Sequence, residues 1–229
     1  MKGYLVLSGG QAFTPPARTL DSRWLNRIRR SHARPRVVVI PAADISGTRR
    51  EPDRITRYFN NLGTFAEYVM ITSPLAANTA SEYEILDKVE GLVLPDGSAL
   101  DLVERLTGTK TEAALRRALQ RVAVVVATGA SAMALGGAYW LGGAWERGLG
   151  LAPHLAIVPH HAFVQMRLPA DRLLDGIPEG VTAIGIDDLT YITWTPENTY
   201  EVMGHGEVTV YRSAEQQDVY RDGATFSLS

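Results

Sequence analysis

The chain has no cysteine. That excludes a thiol nucleophile, a disulfide framework and thiolate metal sites. It also lacks an excess of either charge: 23 lysines and arginines face 25 aspartates and glutamates, a net charge of -2. So weak a field recruits neither nucleic acid nor an anionic membrane surface. No apolar run reaches the roughly 18 residues that a membrane-spanning helix needs. Met1-Lys2-Gly3-Tyr4 leads straight into a strand-like segment without the pattern of a signal peptide. A cytoplasmic location is therefore expected. Internal repeats, low-complexity tracts and linkers are missing too.

What is there reads as one globular domain over 1–229, with 45% hydrophobic and 21% charged residues. A chain of this length buries a sizeable core without a metal or disulfide staple. Short apolar runs alternate with helical patterns. Tyr4-Leu-Val-Leu7 ends in Ser8-Gly9-Gly10, which reads as a turn. Asp21 is placed to cap a helix over 22–32. Arg36–Ile40 ends in Pro41-Ala42-Ala43, Tyr68–Ile71 forms a third strand, and Gly91–Leu94 ends in Pro95-Asp96-Gly97-Ser98. Helices are expected over 54–62, 81–89, 100–106 and 111–120. This alternation predicts an α/β fold: a three-layer, mostly parallel sheet with helices on both faces. The glycine-rich stretch 136–151 is expected to be a loop. A further strand is expected at 155–158 and a helix at 169–174; strands at 182–186, 190–194, 200–203 and 208–211 then form an antiparallel C-terminal extension, and the tail after Ser213 is expected to fray.

The chain is organised around Val122–Gly137. Five apolar residues run into Thr128-Gly129-Ala130-Ser131-Ala132-Met133 and then into helix formers. A buried strand that turns sharply into a helix with a serine at the corner is a nucleophile elbow. A serine nucleophile needs a base. His160 and His161 follow a strand whose end should share the functional edge of the sheet with Ser131. Adjacent histidines point apart, and no acidic ligand stands at helical spacing from them, so a shared metal is not expected. The base needs an acidic orienter. Glu146 is the best candidate, with Asp187 and Asp188 as alternatives that a hairpin turn would also explain. Backbone amides for an oxyanion hole are expected from Ala132 and from the Asp96-Gly97-Ser98 turn. Gln165 and Arg167 are candidates for holding a substrate carboxylate.

Taken in order, these pieces resemble the serine peptidases typified by aspartyl dipeptidase (dipeptidase E) and cyanophycinase, which have the class I glutamine amidotransferase-like fold. The likeness runs over nearly the whole chain. It rests on Ser8-Gly9-Gly10, on Asp96-Gly97-Ser98 followed by Leu106-Thr107-Gly108-Thr109, and on Gly129-Ala130-Ser131-Ala132-Met133-Ala134. Gly148-Leu149-Gly150-Leu151 leading to Val158-Pro159-His160 adds to it, as do Ala183–Asp188, Tyr200–Gly204 and Glu207–Val210. The resemblance implies a triad of Ser131, His160 and Glu146, with oxyanion donors at Gly97 and Ala132. Ser98, His161, Gln165 and Arg167 would lie around the substrate. It implies cleavage of a small aspartyl peptide or β-aspartyl isopeptide through an acyl-enzyme, without metal or cofactor, and a homodimer. Four positions depart from the pattern. Met133 stands where the family has the second elbow glycine, Asp96 where it has the first glycine of the oxyanion turn, Ser98 where it has the following asparagine or aspartate, and His161 where it often has an aromatic residue. A carboxylate pointing inward at Asp96 would oppose a developing oxyanion. The departures at Met133 and Asp96 also fit a non-hydrolytic relative that binds a small ligand or a protein partner.

Overall fold

The computed structural model describes residues 2–121 and 123–228. Met1, the Val122 that begins the central apolar run, and Ser229 lie outside the described residues. Five parallel strands form the spine: β1 (Tyr4–Ser8), β2 (Arg36–Val39), β3 (Phe65–Tyr68), β4 (Gly91–Leu94) and β5 (Val124–Thr128). Their order is β1-β5-β4-β2-β3. β1, β2, β4 and β5 are valine- or leucine-rich because both faces are covered, whereas the edge strand β3, Phe65-Ala-Glu-Tyr68, is only partly buried. Side chains alternate across the sheet with a period of two. Val124 and Val126 therefore join Trp24, Leu25 and Phe59 on one face. Val125 and Ala127 join Leu102, Leu106 and Leu115 on the other. The first face is covered by α1 (Arg18–Arg29) and α2 (Arg50–Asn61). Beyond the short α3 (Pro74–Ala77) and α4 (Ala80–Tyr83), the second is covered by α5 (Ala99–Leu106), α6 (Lys110–Gln120) and α7 (Ala130–Ala134). The expected three layers are thus present.

The C-terminal half divides between two sheets. A ribbon of β6 (Ala138–Leu141) and β7 (Ala144–Arg147) follows α7, and then come β8 (Leu155–Pro159), α8 (His161–Val164), α9 (Ala170–Leu174) and β9 (Thr182–Ile186). The remaining strands are β10 (Thr190–Trp194), β11 (Tyr200–Gly204), β12 (Val208–Tyr211), β13 (Gln217–Tyr220) and β14 (Thr225–Phe226). β10, β11 and β14 extend the spine antiparallel beyond β1. β8 and β9 pair in parallel within a separate sheet of order β13-β12-β9-β8. Among the described residues, no helix is long and apolar enough to cross a membrane.

Several local expectations are corrected. Gly142 and Gly143 have φ of 60° and 100°, so they close β6 on β7 in a two-residue turn where a loop was expected. Trp140 packs edge-on against Trp145 across this ribbon, 5.2 Å between ring centroids. The tail forms β13 and β14, fastened by Tyr220 stacking on Phe226 at 4.5 Å and by the Arg212–Asp218 pair. The third strand comes earlier, at Phe65–Tyr68, and the helix expected over 81–89 divides into α4 and a 3-10 turn over Glu84–Lys88. Asp21 does not cap α1. It lies in the first turn, buried, where its carboxylate accepts from Phe13 N, Trp24 Nε1, Tyr58 Oη and Tyr191 Oη.

Candidate active site

The sharp corner after β5 is at Gly129. Its φ of 56° and ψ of -127° put it where a side chain is strained, and its N–H donates to Ser8 O at 3.0 Å, pinning the corner to β1. Helix α7 starts at the next residue. Ser131 therefore lies inside the helix. It is fully buried, and its hydroxyl donates to Pro95 O. The elbow exists, but its corner, the position at which a nucleophile elbow exposes its nucleophile, is Gly129 and not Ser131. Small residues at 129–132 make both alignments look alike in sequence, and only the backbone turn separates them.

Asp96 occupies the space a side chain at Gly129 would take. A Cβ built on Gly129 would lie 2.2 Å from Asp96 Oδ1 and 2.3 Å from Cγ and Oδ2. The carboxylate is held by two amides: Gly97 N–H donates to Oδ1 at 2.8 Å and Ala130 N–H donates to the same oxygen at 2.7 Å. These amides flank the corner as oxyanion donors should, one from the turn after β4 and one from the residue after the corner. Gly97 fits there because any Cβ would sit 2.1 Å from Ala43 O.

Across from it stands His160. Its backbone is left-handed, φ 50° and ψ 40°, an uncommon state for a non-glycine residue that marks functional sites when neighbours enforce it. The neighbours are explicit. His160 N–H donates to Gly9 O at 2.9 Å, and His160 O accepts from Phe163 N and Val164 N. Nδ1 bonds Asp188 Oδ1 at 2.7 Å, Asp188 Oδ2 accepts from Gln11 Nε2 at 3.0 Å, and Nε2 faces Asp96 Oδ2 at 3.8 Å. Gly10 makes room for this array. A Cβ there would be 2.2 Å from Asp188 Oδ1 and 2.4 Å from His160 Cε1. The Ser8-Gly9-Gly10 turn is thus a close-approach feature as well as a turn.

The array polarises its members. Asp96 is the largest influence raising the imidazole, burial opposes it and Asp188 adds to it, lifting the His160 pKa from 6.5 to about 9. At 3.8 Å Asp96 acts as an ion-pair partner through space, whereas Asp188 at 2.7 Å is a hydrogen-bond partner, so the firmer hold on the ring is that of Asp188. Burial pushes the Asp96 carboxyl up, but His160 and the amides of Ala130 and Gly97 outweigh it and hold it below the usual carboxylate value.

Beside His160 lies a cavity of about 560 Å³. Met133, Trp140, Ile157, Val158, Phe163, Val164, Leu168 and Leu173 form its apolar walls, with His160 and Asp188 as its polar residues. The β6–β7 ribbon helps to build it: Trp145 donates to Leu173 O at 2.9 Å and packs against Trp140.

The other predicted site residues are dispersed. Glu146 is exposed on β7 and does not reach His160, which is oriented by Asp188, one of the two alternatives. Asp187 is a backbone clamp, accepting from Ala162 N and Glu207 N. His161 is buried against Gly185, its Nε2 2.7 Å from Tyr211 Oη, and burial lowers its pKa. Ala132 is buried within α7, so Ala130 is the second amide donor. Ser98 caps α5 by accepting from Asp101 N. Gln165 and Arg167 are exposed, with Arg167 stacked 3.6 Å over the Phe163 ring. Among the described residues, no three histidine, aspartate or glutamate side chains converge as a metal site requires.

Fold and corner define a mixed α/β protein with the architecture of known peptidases. No family model matches the chain, and no curated protein does. Among solved structures it is similar to a peptidase from an acI-B1 Actinobacterium, with a TM-score of 0.86 and 18% identity over 100% of this chain and 98% of that one. It is also similar to a candidate Peptidase E protein from Listeria monocytogenes EGD-e, with a TM-score of 0.65 and 12% identity over 90% of this chain and 100% of that one. At these identities the likeness is one of fold.

Proposed function

We propose that the protein is a hydrolase of this peptidase fold whose reacting centre is Asp96 with His160 and Asp188, acting on a small molecule with an apolar body. One observation carries the reading: the Asp96 carboxylate sits on the Gly97 and Ala130 amides, in the space that a nucleophile at the corner would fill. Relative to the family pattern, bulk has been exchanged across the cleft. Position 129 has lost a side chain and position 96 has gained one. The Asp96 side chain is 47% exposed and reachable, whereas Ser131 is 0% exposed. That contrast favours Asp96 over the Ser131-His160-Glu146 triad.

The apolar walls argue against an aspartyl substrate. A substrate carboxylate would join Asp96 and Asp188 beside a single imidazole, and like charges at such range repel. Exposed Arg167, engaged with Phe163, does not offset this.

The test is a panel of aspartyl and apolar dipeptides, neutral carboxylic esters and epoxides, assayed with three variants. Turnover should fall by about 100-fold or more in Asp96→Asn and His160→Ala, the usual scale for losing a proton-transfer group. It should stay within a few-fold in Ser131→Ala, and aspartyl peptides should be the poorest substrates. Turnover abolished in Ser131→Ala but kept in Asp96→Asn would restore the serine peptidase. Turnover indifferent to all three variants would overturn this centre, and no turnover of any panel member by the wild type would leave the non-hydrolytic reading, a small-ligand protein with a peptidase fold.

A further inference from the structure

We propose that Asp96 is a covalent nucleophile, and that the substrate is an epoxide on an apolar body, opened through an alkyl ester of Asp96. This rests on the reading above that Asp96 is the reacting carboxylate.

The oxygen bookkeeping at the two amides leads there. In acyl transfer to a serine, the amides of an oxyanion hole await the oxygen of the substrate carbonyl. Here both donate to Asp96 Oδ1. A substrate carbonyl finds that place taken by the protein's own carboxylate. The same placement serves a different reaction. With Oδ1 fixed, Oδ2 is the free oxygen, and it faces His160 Nε2 from 3.8 Å, too far for a shared proton. A carboxylate oxygen of this kind attacks an electrophilic carbon and splits one difficult step into two.

In the first step Asp96 Oδ2 forms a bond to a ring carbon of the epoxide and the C–O bond of the ring breaks. The freed oxygen takes the proton of the His160 imidazolium. His160 is charged at neutral pH because two carboxylates flank it. Esterification removes the charge of Asp96, the largest of those influences, so the proton affinity of the imidazole falls toward that of a base as a base is needed. In the second step His160 takes a proton from water, and the hydroxide adds to Asp96 Cγ. The negative charge then develops on Oδ1, where the Gly97 and Ala130 amides already point. Collapse breaks the bond from Cγ to the alkyl oxygen. The alkoxide takes the proton of the new Asp96 carboxyl, and the sum is epoxide plus water to diol with Asp96 ionised and His160 protonated. The apolar wall of Met133, Trp140, Ile157 and Phe163 suits a phenyl or alkyl substituent and carries no charge to bind a polar one.

The experiment uses the full chain with styrene oxide and 1,2-epoxyhexane. A single turnover with enzyme in excess is run in oxygen-18 water. The diol should carry unlabelled oxygen and the peptide containing Asp96 should gain the label. In His160→Gln the ester should accumulate one-to-one on Asp96, read as the mass of the added epoxide, and Asp96→Asn should show no adduct. The wild-type isotope measurement stands even if a variant folds poorly. Label entering the diol directly, or no conversion and no Asp96 adduct with either epoxide, would overturn the covalent proposal. If the peptide and ester panel still showed turnover dependent on Asp96, the proposed function would survive that failure. Turnover following Ser131 would sink both.

Discussion

At the scale of single residues, the site depends on which atoms are held and by what. His160 is fixed by Asp188 on one side and charged by Asp96 on the other, so its proton is bound more tightly in the folded chain than in the unfolded one. A raised histidine pKa contributes stability that is fully present below 6.5 and lost as pH rises through about 9. An NMR titration of the imidazole should therefore place His160 near pH 9 in the wild type. Asp96→Asn should bring it down toward the ordinary value, and Ser131→Ala should leave it in place. A His160 that titrates near 6.5 in the wild type, or that responds to Ser131→Ala, would break the array. Gly10 belongs to the same account, because any Cβ there meets both Asp188 and His160 within 2.4 Å. Its neighbour Gly9 is equally confined, with a built Cβ 2.1 Å from Ile186 O.

At the scale of elements, the loop that carries Gln11 to Asp188 is tied down by a buried carboxylate. Asp21 accepts four donors, from Phe13, Trp24, Tyr58 and Tyr191, and these come from that loop, α1, α2 and β10. Burial is the largest influence on it and raises its pKa to about 6 against the lowering effect of those donors. Removing the acceptor leaves three buried donors, on Phe13, Trp24 and Tyr191, and the partly buried Tyr58 hydroxyl without their partner. Asp21→Ala should cost about 3–5 kcal/mol, the scale of several buried donors left unsatisfied, read by urea denaturation. Because its folded pKa is raised, Asp21 opposes the usual acid trend: between about pH 6 and 3.8 protonation of Asp21 favours the folded state. Four of the spine strands were legible in the sequence because strands buried on both faces are rich in valine and leucine; the edge strand β3, Phe65-Ala-Glu-Tyr68, carries no such run, and the strand was read three residues too late. The β6–β7 ribbon carried a hairpin signal at Gly142-Gly143, flanked by Trp140 and Trp145, that overall glycine content concealed. The elbow was legible as an element but not in register. Gly-Ala-Ser-Ala satisfies the motif's letters at Ser131, while the turn that defines the corner needs a positive φ and finds it at Gly129.

At the scale of the whole molecule, the site sits where two sheets meet. His160 N–H to Gly9 O and Leu189 N–H to Gly10 O join the end of β8 and the β9–β10 turn to the end of β1. Asp96 arrives from the end of β4, two strands away in the spine. Sequence order alone does not bring these ends together. Asp188 therefore read as one of several turn residues and Glu146 as the nearer acid, whereas the parallel pairing of β8 with β9 sets Pro159 beside Ile186 and so carries His160 to Asp188. Asp96 read as a departure from a pattern, and its meaning emerges only beside an empty Gly129. The most direct measurement reverses that exchange. Wild-type protein, Ser131→Ala, and the double variant Asp96→Gly with Gly129→Ser are treated with a fluorophosphonate, and labelled peptides are mapped. The prediction is no adduct on Ser131 in the wild type and a new adduct on the serine at position 129 of the double variant, beside His160 and vacated amides. An adduct on wild-type Ser131, lost in Ser131→Ala, would contradict the account.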